Sequence, residues 1–585
     1  MARLIPHTHD GTNSDARSIE SGVPAPTWLR GPRTVSDALI EGLRLIGTQH
    51  AYGVIGGALV PFYDALVRSP LDVVNCRHES GAAFAALEAS LASDAPALVF
   101  ATTGPGLTNV LTGALTARWE GAKLLLVSGY SGTARRGRFT LQESNTHTLG
   151  AGIYTPAGLF DYAVAIEDIE ELPRVMRTLA RGFASRRGFV AHVAMPLAIQ
   201  ASQAPAIGVT IPATEIAPNP ATIAKVLDRL REPFAIWLGY GARHAAKPIR
   251  ELVDRTNAPV LVTPRAKGVF PEDDPRYLGV SGAFGSDPDL VERMRSAGVE
   301  RLLVLGTRLG EVSSAYCDDL IPPGGLIHVD LDPDVPGNAF PQAETLIVQA
   351  EIGEFMRALL ERLPAAPPRP IEILPRARPV RLSARQEPRI RPQFLMQCIQ
   401  DRIVEGSQSV ILSESGNAFA WTTRHLSFDA PHRYRQSGLF CPMGHASAGV
   451  LGSAAVTRRR AVAVVGDGAF LMQNEISTAA QVGADVTWIV LNDARYGMVD
   501  QGLTSLGYAD ASRQMAFPEV DFLGLARALG ADGARVWREH QLADAIEWAM
   551  SCRGPFVLDV LVDPDELAPF RNRLRSIVEQ TEGEA

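Results

Sequence analysis

The stretch "GDGAFLMQNEISTAAQVGADVTWIVLND", Gly466 to Asp493, opens where one apolar strand, "AVAVV", ends, and it closes where another, "VTWIVL", ends. In parallel α/β sheets ligands gather at the carboxyl ends of the strands. Both ends of the stretch therefore belong on a binding rim. Glycines around an aspartate permit a tight turn and close backbone approach to a bulky anion. Carboxylate, amide and carbonyl oxygens converging from neighbouring loops suit a small hard cation such as Mg2+, which completes its octahedron with phosphate oxygens and water. The stretch thus offers a Mg2+-diphosphate anchor, with Gly466, Asp467, Gly468 and Ala469 on one loop and Asn492 and Asp493 on the other. Gly-Asp-Gly alone is equally a plain turn between strand and helix; the second polar strand end is what tips the reading.

Outward from this stretch the same alternation recurs. In the third block, residues 394–565, "SVILSE" and "PFVLDVLVD" join the two strands already named. A first block, 34–202, holds "AYGVIG", "LDVVNC", "PALVFAT" and "KLLLVSG", each followed by a helical pattern. A second, 221–363, holds "FAIWLG", "APVLVT", "RLLVLG" and "LIHVDLD". Short branched-aliphatic runs alternating with helices mean βαβ units and parallel sheets, so the expected fold is α/β, three successive parallel-sheet domains. The segment "ASQAPAIGVTIPATEIAPNP" reads as a loose connection between the first two blocks, and 364–393, dense in proline and arginine, as an extended linker. Residues 1–33 read as a disordered N-terminal arm and 566–585 as a charged, helical or frayed C-terminal tail.

A chain of 585 residues exceeds what one hydrophobic core supports. The net charge of −8 argues against a nucleic-acid partner. Five scattered cysteines without CxxC spacing point to a reducing compartment with neither disulfide framework nor structural zinc. With no apolar run long enough to span a bilayer and no signal-peptide core, no membrane association is expected and a cytoplasmic location is the default.

The Gly466–Asp493 segment resembles the cofactor-binding motif of thiamine diphosphate enzymes, which opens in Gly-Asp-Gly and closes about thirty residues on in Asn-Asn. The likeness extends from about residue 34 to 562 and is greatest to acetolactate synthase-like members. It implies a pyrimidine-binding domain (34–202), a central domain (221–363) and a diphosphate-binding domain (394–565). It implies Mg2+ held by Asp467, Asp493 and the backbone carbonyl of Arg495, with aspartate here in place of the motif's last asparagine.

In "CRHESGAAFAALEAS", Glu79 matches the glutamate that hydrogen-bonds N1′ of the aminopyrimidine and favours the imino tautomer that takes the C2 proton. On its residues alone it is equally a glutamate placed at a helix start by the macrodipole. "TTGPGLTN" places Gly104 and Asn109 beside the pyrimidine ring, and "GVIGGALVPFYDAL" resembles the synthases' "GGAxxPxxDAL" loop, lining the pocket with Gly56, Gly57 and Ala58. "FTLQESNTH" matches their Phe-Gln-Glu segment with Leu141 for phenylalanine, so Gln142 is expected to hold a donor or acceptor oxygen. "GLFCPMGHASAG" puts Met443 beneath the cofactor, and "SESGNAFAW" puts Gly416 and Asn417 at the diphosphate.

Departures matter as well. "GMVDQGL" carries Gly502 where the synthases have a tryptophan that selects the second oxo acid, implying a roomier acceptor pocket, and Leu197 replaces their lysine in "MPLAIQ". "LGYGAR" (Gly239, Gly241, Arg243), "PRAKG" (Lys267, Gly268) and "LGTRLGE" (Gly306, Arg308) keep the loop pattern of a central domain that binds FAD or, in CoA-handling relatives, ADP. The resemblance implies a carboligase that decarboxylates a 2-oxo acid, pyruvate foremost, and passes the acyl unit to a second carbonyl acceptor. Its site would lie between two chains of a homodimer or homotetramer, Glu79 from one and Asp467 and Asp493 from the other. A plain 2-oxo acid decarboxylase, a 2-hydroxyacyl-CoA lyase and an inactive cofactor-binding scaffold are the alternatives.

Overall fold

The computed structural model describes residues 27–29, 33–212, 215–365, 370–376, 380–472 and 475–583. Among these residues the chain forms three six-stranded sheets in which every pairing is parallel. The first contains β1 (His50–Val54), β2 (Asp72–Asn75), β3 (Ala97–Ala101), β4 (Lys123–Gly129), β5 (Tyr162–Ala165) and β6 (Phe189–Met195), in the order β2-β1-β3-β4-β6-β5. The second contains β7 (Phe234–Leu238), β8 (Val260–Val262), β9 (Tyr277–Val280), β10 (Arg301–Leu305), β11 (Leu326–Asp330) and β12 (Thr345–Gln349), in the order β9-β8-β7-β10-β11-β12. The third contains β13 (Val410–Ser413), β14 (Tyr434–Gln436), β15 (Ala461–Gly466), β16 (Val486–Asn492), β17 (Asp532–Val536) and β18 (Phe556–Leu561), in the order β14-β13-β15-β16-β18-β17.

The first and third sheets therefore share one strand order, while the middle sheet has the 3-2-1-4-5-6 order of dinucleotide-binding folds. Helices cover both faces, so the inner strands are mostly apolar; β4 and β16 are buried at every position.

The equivalent helices of the first and third sheets pack against each other. Helix α1 (Glu79–Ser93) follows β2, and α2 (His445–Thr457) follows β14. Both are rich in alanine and glycine, with almost every residue buried. A Cβ on Gly452 would overlap the Ala85 carbonyl oxygen, so glycine is what lets the backbones meet. Across this junction the fully buried His445 Nε2 lies 2.9 Å from Glu88 Oε1, and Arg435 bridges Glu88 to the Tyr240 hydroxyl (2.7 Å). Burial alone would raise the Glu88 pKa, but the His445 and Arg435 contacts overcome it and hold it below the usual carboxylate range. His445 is raised in turn, its pairing with Glu88 outweighing burial.

Several expectations shift. The N-terminal arm lies largely outside the described residues, but Thr27–Leu29 pairs antiparallel with Ile207–Val209. The segment read as a loose connection thus contributes a strand, because buried Ile207 and Val209 belong to the first core. In the linker, residues 366–369 and 377–379 lie outside the described residues, and the rest is irregular, bending at 386–389 and entering a helix at Pro392, with its arginines paired to carboxylates: Arg381 to Asp401, Arg385 to Asp563 and Arg391 to Glu539. The tail is a helix, α3 (Arg571–Gly583), which docks on the middle domain: Asn572 donates to the Gly282 carbonyl, and Arg573 pairs with Glu311. Leu574 of α3 approaches Gly502, within 3.9 Å of where a Cβ would stand. The space expected to be free opposite Gly502 is therefore partly taken by the tail, and Gly502 does not line the adjoining cavity.

Candidate functional site

Strands β15 and β16 are direct neighbours, Gly466 opposite Leu491, so their rim loops adjoin. Asp467, almost fully buried, accepts from the backbone N–H of its own Gly468 (2.7 Å), of Asp493 (3.2 Å) and of Ala494 (2.7 Å). The carboxyl thus stitches the two loops together. Asp493 lies against Gly497: a Cβ there would stand 2.5 Å from Asp493 Oδ2 and 2.9 Å from Asn417 Nδ2. Glycine at 497 is what allows the carboxylate and the amide to converge on one spot. Asn417 begins the helix Asn417–His425, and Gly416 precedes it at φ 90°. A helix start of that kind favours an anion.

These loops enclose a cavity of about 320 Å3, lined among others by Gly416, Asn417, Met443, Gly466, Asp467, Gly468, Ala469, Asp493, Arg495 and Tyr496. Burial pushes the Asp467 pKa up to about 6, against the pull of the backbone N–H groups. Burial and then the neighbouring Asp467 charge push Asp493 up to about 7, with Arg495 opposing. Two buried carboxyls that resist carrying charge together are the electrostatic signature of a site for a cation. Asn417 Oδ1 is buried without a hydrogen-bond partner, a further oxygen left over for a ligand. The residues present fit Mg2+ with a diphosphate. No group of three His, Cys, Asp or Glu side chains capable of holding a metal occurs among the described residues. A cation here would take two carboxylates, completed by carbonyl and ligand oxygens such as that of Arg495, which accepts the Gly497 N–H at 2.9 Å.

The remaining expected residues gather elsewhere. At the rim of the first sheet, Glu79 opens α1 and is largely buried; its Oε2 accepts from Asn109 Nδ2 at 3.1 Å. Gly104 sits against Gln142, whose backbone adopts φ 54° and whose side chain is exposed. Gly56 abuts Thr102, and Ala58 packs near Gly129. None of these residues lines the cavity that holds Asp467 and Asp493. One chain therefore presents two half-sites on two rims.

Between β7 and β10, at the switch point of the middle sheet, lies a second cavity of about 160 Å3. Gly241, Arg243, Gly306 and Arg308 line it, as do Arg186, Arg187, Tyr240, Arg265, Asp330 and Asp332. Tyr240 is held between the Arg243 and Arg265 guanidinium groups at 4.3 and 4.1 Å. Close glycine-to-glycine contact between Gly241 and Gly306, with arginines around, fits a nucleotide diphosphate. Lys267 and Gly268 do not belong to this cavity. Lys267 is fully buried and paired with Glu272 (2.8 Å), whose other oxygen accepts the Phe428 N–H, and Gly268 abuts Ala430. That loop joins the middle and third domains instead. The position of Lys267 three residues beyond Pro264 gave no sign of this, because its partner Glu272 lies past the next turn.

Sequence reasoning missed Tyr496, which crowds Gly468, and Gln501. Gln501 is nearly buried and accepts from Ala568 N (3.0 Å) while donating to the Glu566 carbonyl (3.0 Å). Both stand inside "ARYGMVDQ", so their place in the rim motif was available as a signal.

Three family profiles match the chain in the same order as the sheets. They are the thiamine pyrophosphate enzyme N-terminal TPP binding domain over residues 33–149, the central domain over 221–359 and the C-terminal TPP binding domain over 414–560. Full-length relatives include the acetolactate synthase large subunit IlvB1 of Mycobacterium tuberculosis, 27% identical over 91% of this chain and 88% of its own length. The acetolactate synthase of Mycobacterium avium is 27% identical over 92% and 89%. The acetolactate synthase isozyme 1 large subunit of Escherichia coli is 25% identical over 92% and 96%. The chain belongs to the thiamine pyrophosphate enzymes and is an acetolactate synthase-like, thiamine diphosphate-dependent enzyme of carbon–carbon bond chemistry.

Proposed function

We propose that this enzyme is a carboligase that decarboxylates a 2-oxo acid, foremost pyruvate, and transfers the acyl unit to a second carbonyl compound in a site shared by two copies of the chain. The observation that carries the reading is the separation of Glu79, on the first rim, from the cavity of Asp467 and Asp493 on the third. Neither half suffices: one has a buried acid without an anchor, the other an anchor without an acid. Among names, the relatives' acetolactate synthase designation supports ligation over simple decarboxylation.

Thiamine diphosphate supplies the nucleophilic carbon and the electron sink that decarboxylation requires. The protein positions it. Asp467, Asp493 and the Arg495 carbonyl would hold Mg2+, and Gly416, Asn417, Gly468 and Ala469 would bind the diphosphate. Met443, on the cavity wall, would support the cofactor. Glu79 exchanges a proton with N1′ of the pyrimidine, kept in register by Asn109 and the Gly104 loop, and Gly56 shapes the same pocket. Gln142 holds a substrate oxygen. In the middle cavity the arginines around Tyr240 would hold the diphosphate of FAD. The same arginine-rich lining favours one second reading, a 2-hydroxyacyl-CoA lyase that binds an adenosine diphosphate moiety there.

The deciding experiment measures CO2 release from pyruvate with thiamine diphosphate and Mg2+, followed by product analysis with and without an oxo-acid or aldehyde acceptor. A ligated hydroxy ketone or hydroxy-oxo acid is expected. Free aldehyde alone would make the enzyme a plain decarboxylase, and no turnover of any 2-oxo acid would leave a scaffold. Flavin absorbance of the purified protein tests the middle cavity.

A further inference from the structure

We infer that Glu475 is a positioning residue for Glu79, fixing the turn that presents this acid and tying it to the Asp467 loop of the same chain. The inference rests on the proposed role of Glu79. Glu475 is fully buried and lies just before the helix Ile476–Val482, eight positions after Asp467 in the sequence. Its Oε1 accepts from the backbone N–H of Arg77 (3.1 Å) and of His78 (3.0 Å); Oε2 accepts from Arg77 N (3.2 Å) and Thr478 Oγ1 (2.5 Å). Those two N–H groups immediately precede Glu79, where the chain leaves β2 and enters α1. A Cβ on Gly81 would collide with the Glu475 carboxylate, so glycine in the first turn of α1 is what admits it.

The clamp is reciprocal. Arg77 reaches back with Nε to Ser477 Oγ (2.9 Å) and with its terminal nitrogen to Gln481 Oε1 (2.7 Å). Charge-assisted bonds from a carboxylate to backbone N–H are short and strong, and negative charge at a helix start is favoured by the helix dipole. Oε1 takes both N–H groups, while Oε2 takes the Thr478 hydroxyl and a share of the Arg77 N–H. Glutamine can keep one oxygen on the two N–H groups but sets an NH2 where Oε2 accepts, so a donor faces the Arg77 N–H and the Thr478 hydroxyl.

In the shared-site arrangement the Glu79 of one chain serves the cofactor anchored by its neighbour. Glu475 then joins the anchor of one site to the acid of the other, and damage to it should be felt where its own chain's Glu79 works.

The test uses hybrid dimers purified through two tags. One chain carries Glu79→Gln, the other Asp467→Ala, so a single intact site remains, built from Glu79 of the second chain and the anchor of the first. Glu475→Gln added to the Asp467→Ala chain should slow C2 hydrogen–deuterium exchange of bound thiamine diphosphate by about 10- to 100-fold. Cofactor affinity should stay within about threefold. Added to the Glu79→Gln chain, the same change should leave exchange within about threefold. Both hybrids carry identical substitutions, so any folding defect is common to them. Equal losses, or a loss confined to the second placement, would overturn the inference. A parent hybrid that shows no exchange would instead overturn the shared site. The Glu475→Gln homodimer then decides: unchanged exchange overturns the positioning role, and slowed exchange with cofactor affinity kept supports it.

Discussion

The first and third sheets are the same topology used twice. Strand for strand they follow one order, and in each the helix after the short outer strand, α1 or α2, packs against its counterpart. Yet the rims differ in chemistry. The third closes with Asp467, buried and stitched by backbone N–H groups, and the half-buried Asp493, beside the start of the helix Asn417–His425. The first presents glycines, threonines and a single acid held by an amide. On the proposed function, one rim holds charge through a cation and the other holds a ring and moves a proton. The architecture does not choose between these tasks; the few residues after each strand do.

The contrast is broken most severely at the single acid. Glu79→Gln should cut C2 proton exchange by about 10²- to 10⁴-fold, the span of a lost general acid–base group, with cofactor affinity nearly unchanged. If binding collapses instead, the two rims do not divide the labour.

At the other rim, Asp467→Asn should weaken Mg2+-dependent cofactor binding by about 100-fold or more, since it removes a ligand and a loop stitch together. Calorimetric titration with thiamine diphosphate checks it, and chelation of Mg2+ from the parent enzyme should release the cofactor likewise. Equal affinity in the variant would remove the anchor from this rim.

The junction of the two halves is tested by Gly452→Val, which forces a side chain into the Ala85 backbone. A loss of about 1–3 kcal/mol in urea unfolding is expected from overpacking, affecting both rims alike.

The smallest effect concerns pH. The folded-state pKa values of Asp467 and Asp493, about 6 and about 7, lie above the unfolded value near 3.8. Without metal the folded form binds more protons between roughly pH 4 and 7, so it loses stability as pH rises through that window. Mg2+ supplies the missing charge. The thermal shift on adding Mg2+ should therefore be a few degrees at pH 8 and shrink below pH 6; an equal shift at both pH values would separate the carboxyls from the metal.

Legibility followed burial. The strands read from the sequence are mostly inner strands with buried apolar runs, such as β4, β13 and β16, together with the edge strand β2. The strands not read were mostly sheet edges. β14 is Tyr-Arg-Gln, whose Arg435 bonds to Tyr240 of the middle domain and to the Leu91 carbonyl of the first, and β17, "DGARV", begins exposed. An edge strand has one neighbour and mixed surroundings, so its composition carries little periodic signal. β6 is an inner strand hidden by His192, which is fully buried between Ser128 and the Ile153 carbonyl and whose pKa burial lowers to about 4. A histidine in mid-strand breaks an apolar run on paper while fitting the core as a neutral hydrogen-bonding side chain.

Within the site, Asp467, Asp493 and Glu79 were readable because each stands just after a strand that names itself. Lys267 was misread because loop similarity carries no information about a partner five residues on that folds under it. Glu475 was passed over: buried acids look like surface acids until their hydrogen-bond donors, here 398 and 397 residues away, are brought beside them.

By itself, then, the order of residues determined the parallel α/β architecture and named Asp467, Asp493 and Glu79 as candidates for a metal-and-diphosphate rim and an acid, since periodicity and short-range turns are local properties. Only the tertiary structure decided that the two rims repeat one topology, that a single chain keeps Glu79 apart from Asp467 and Asp493, that Leu574 of the tail approaches Gly502 and that Glu475 bonds the turn before Glu79. These depend on contacts between segments distant in the sequence, whose energies exist only once the helices and sheets have packed.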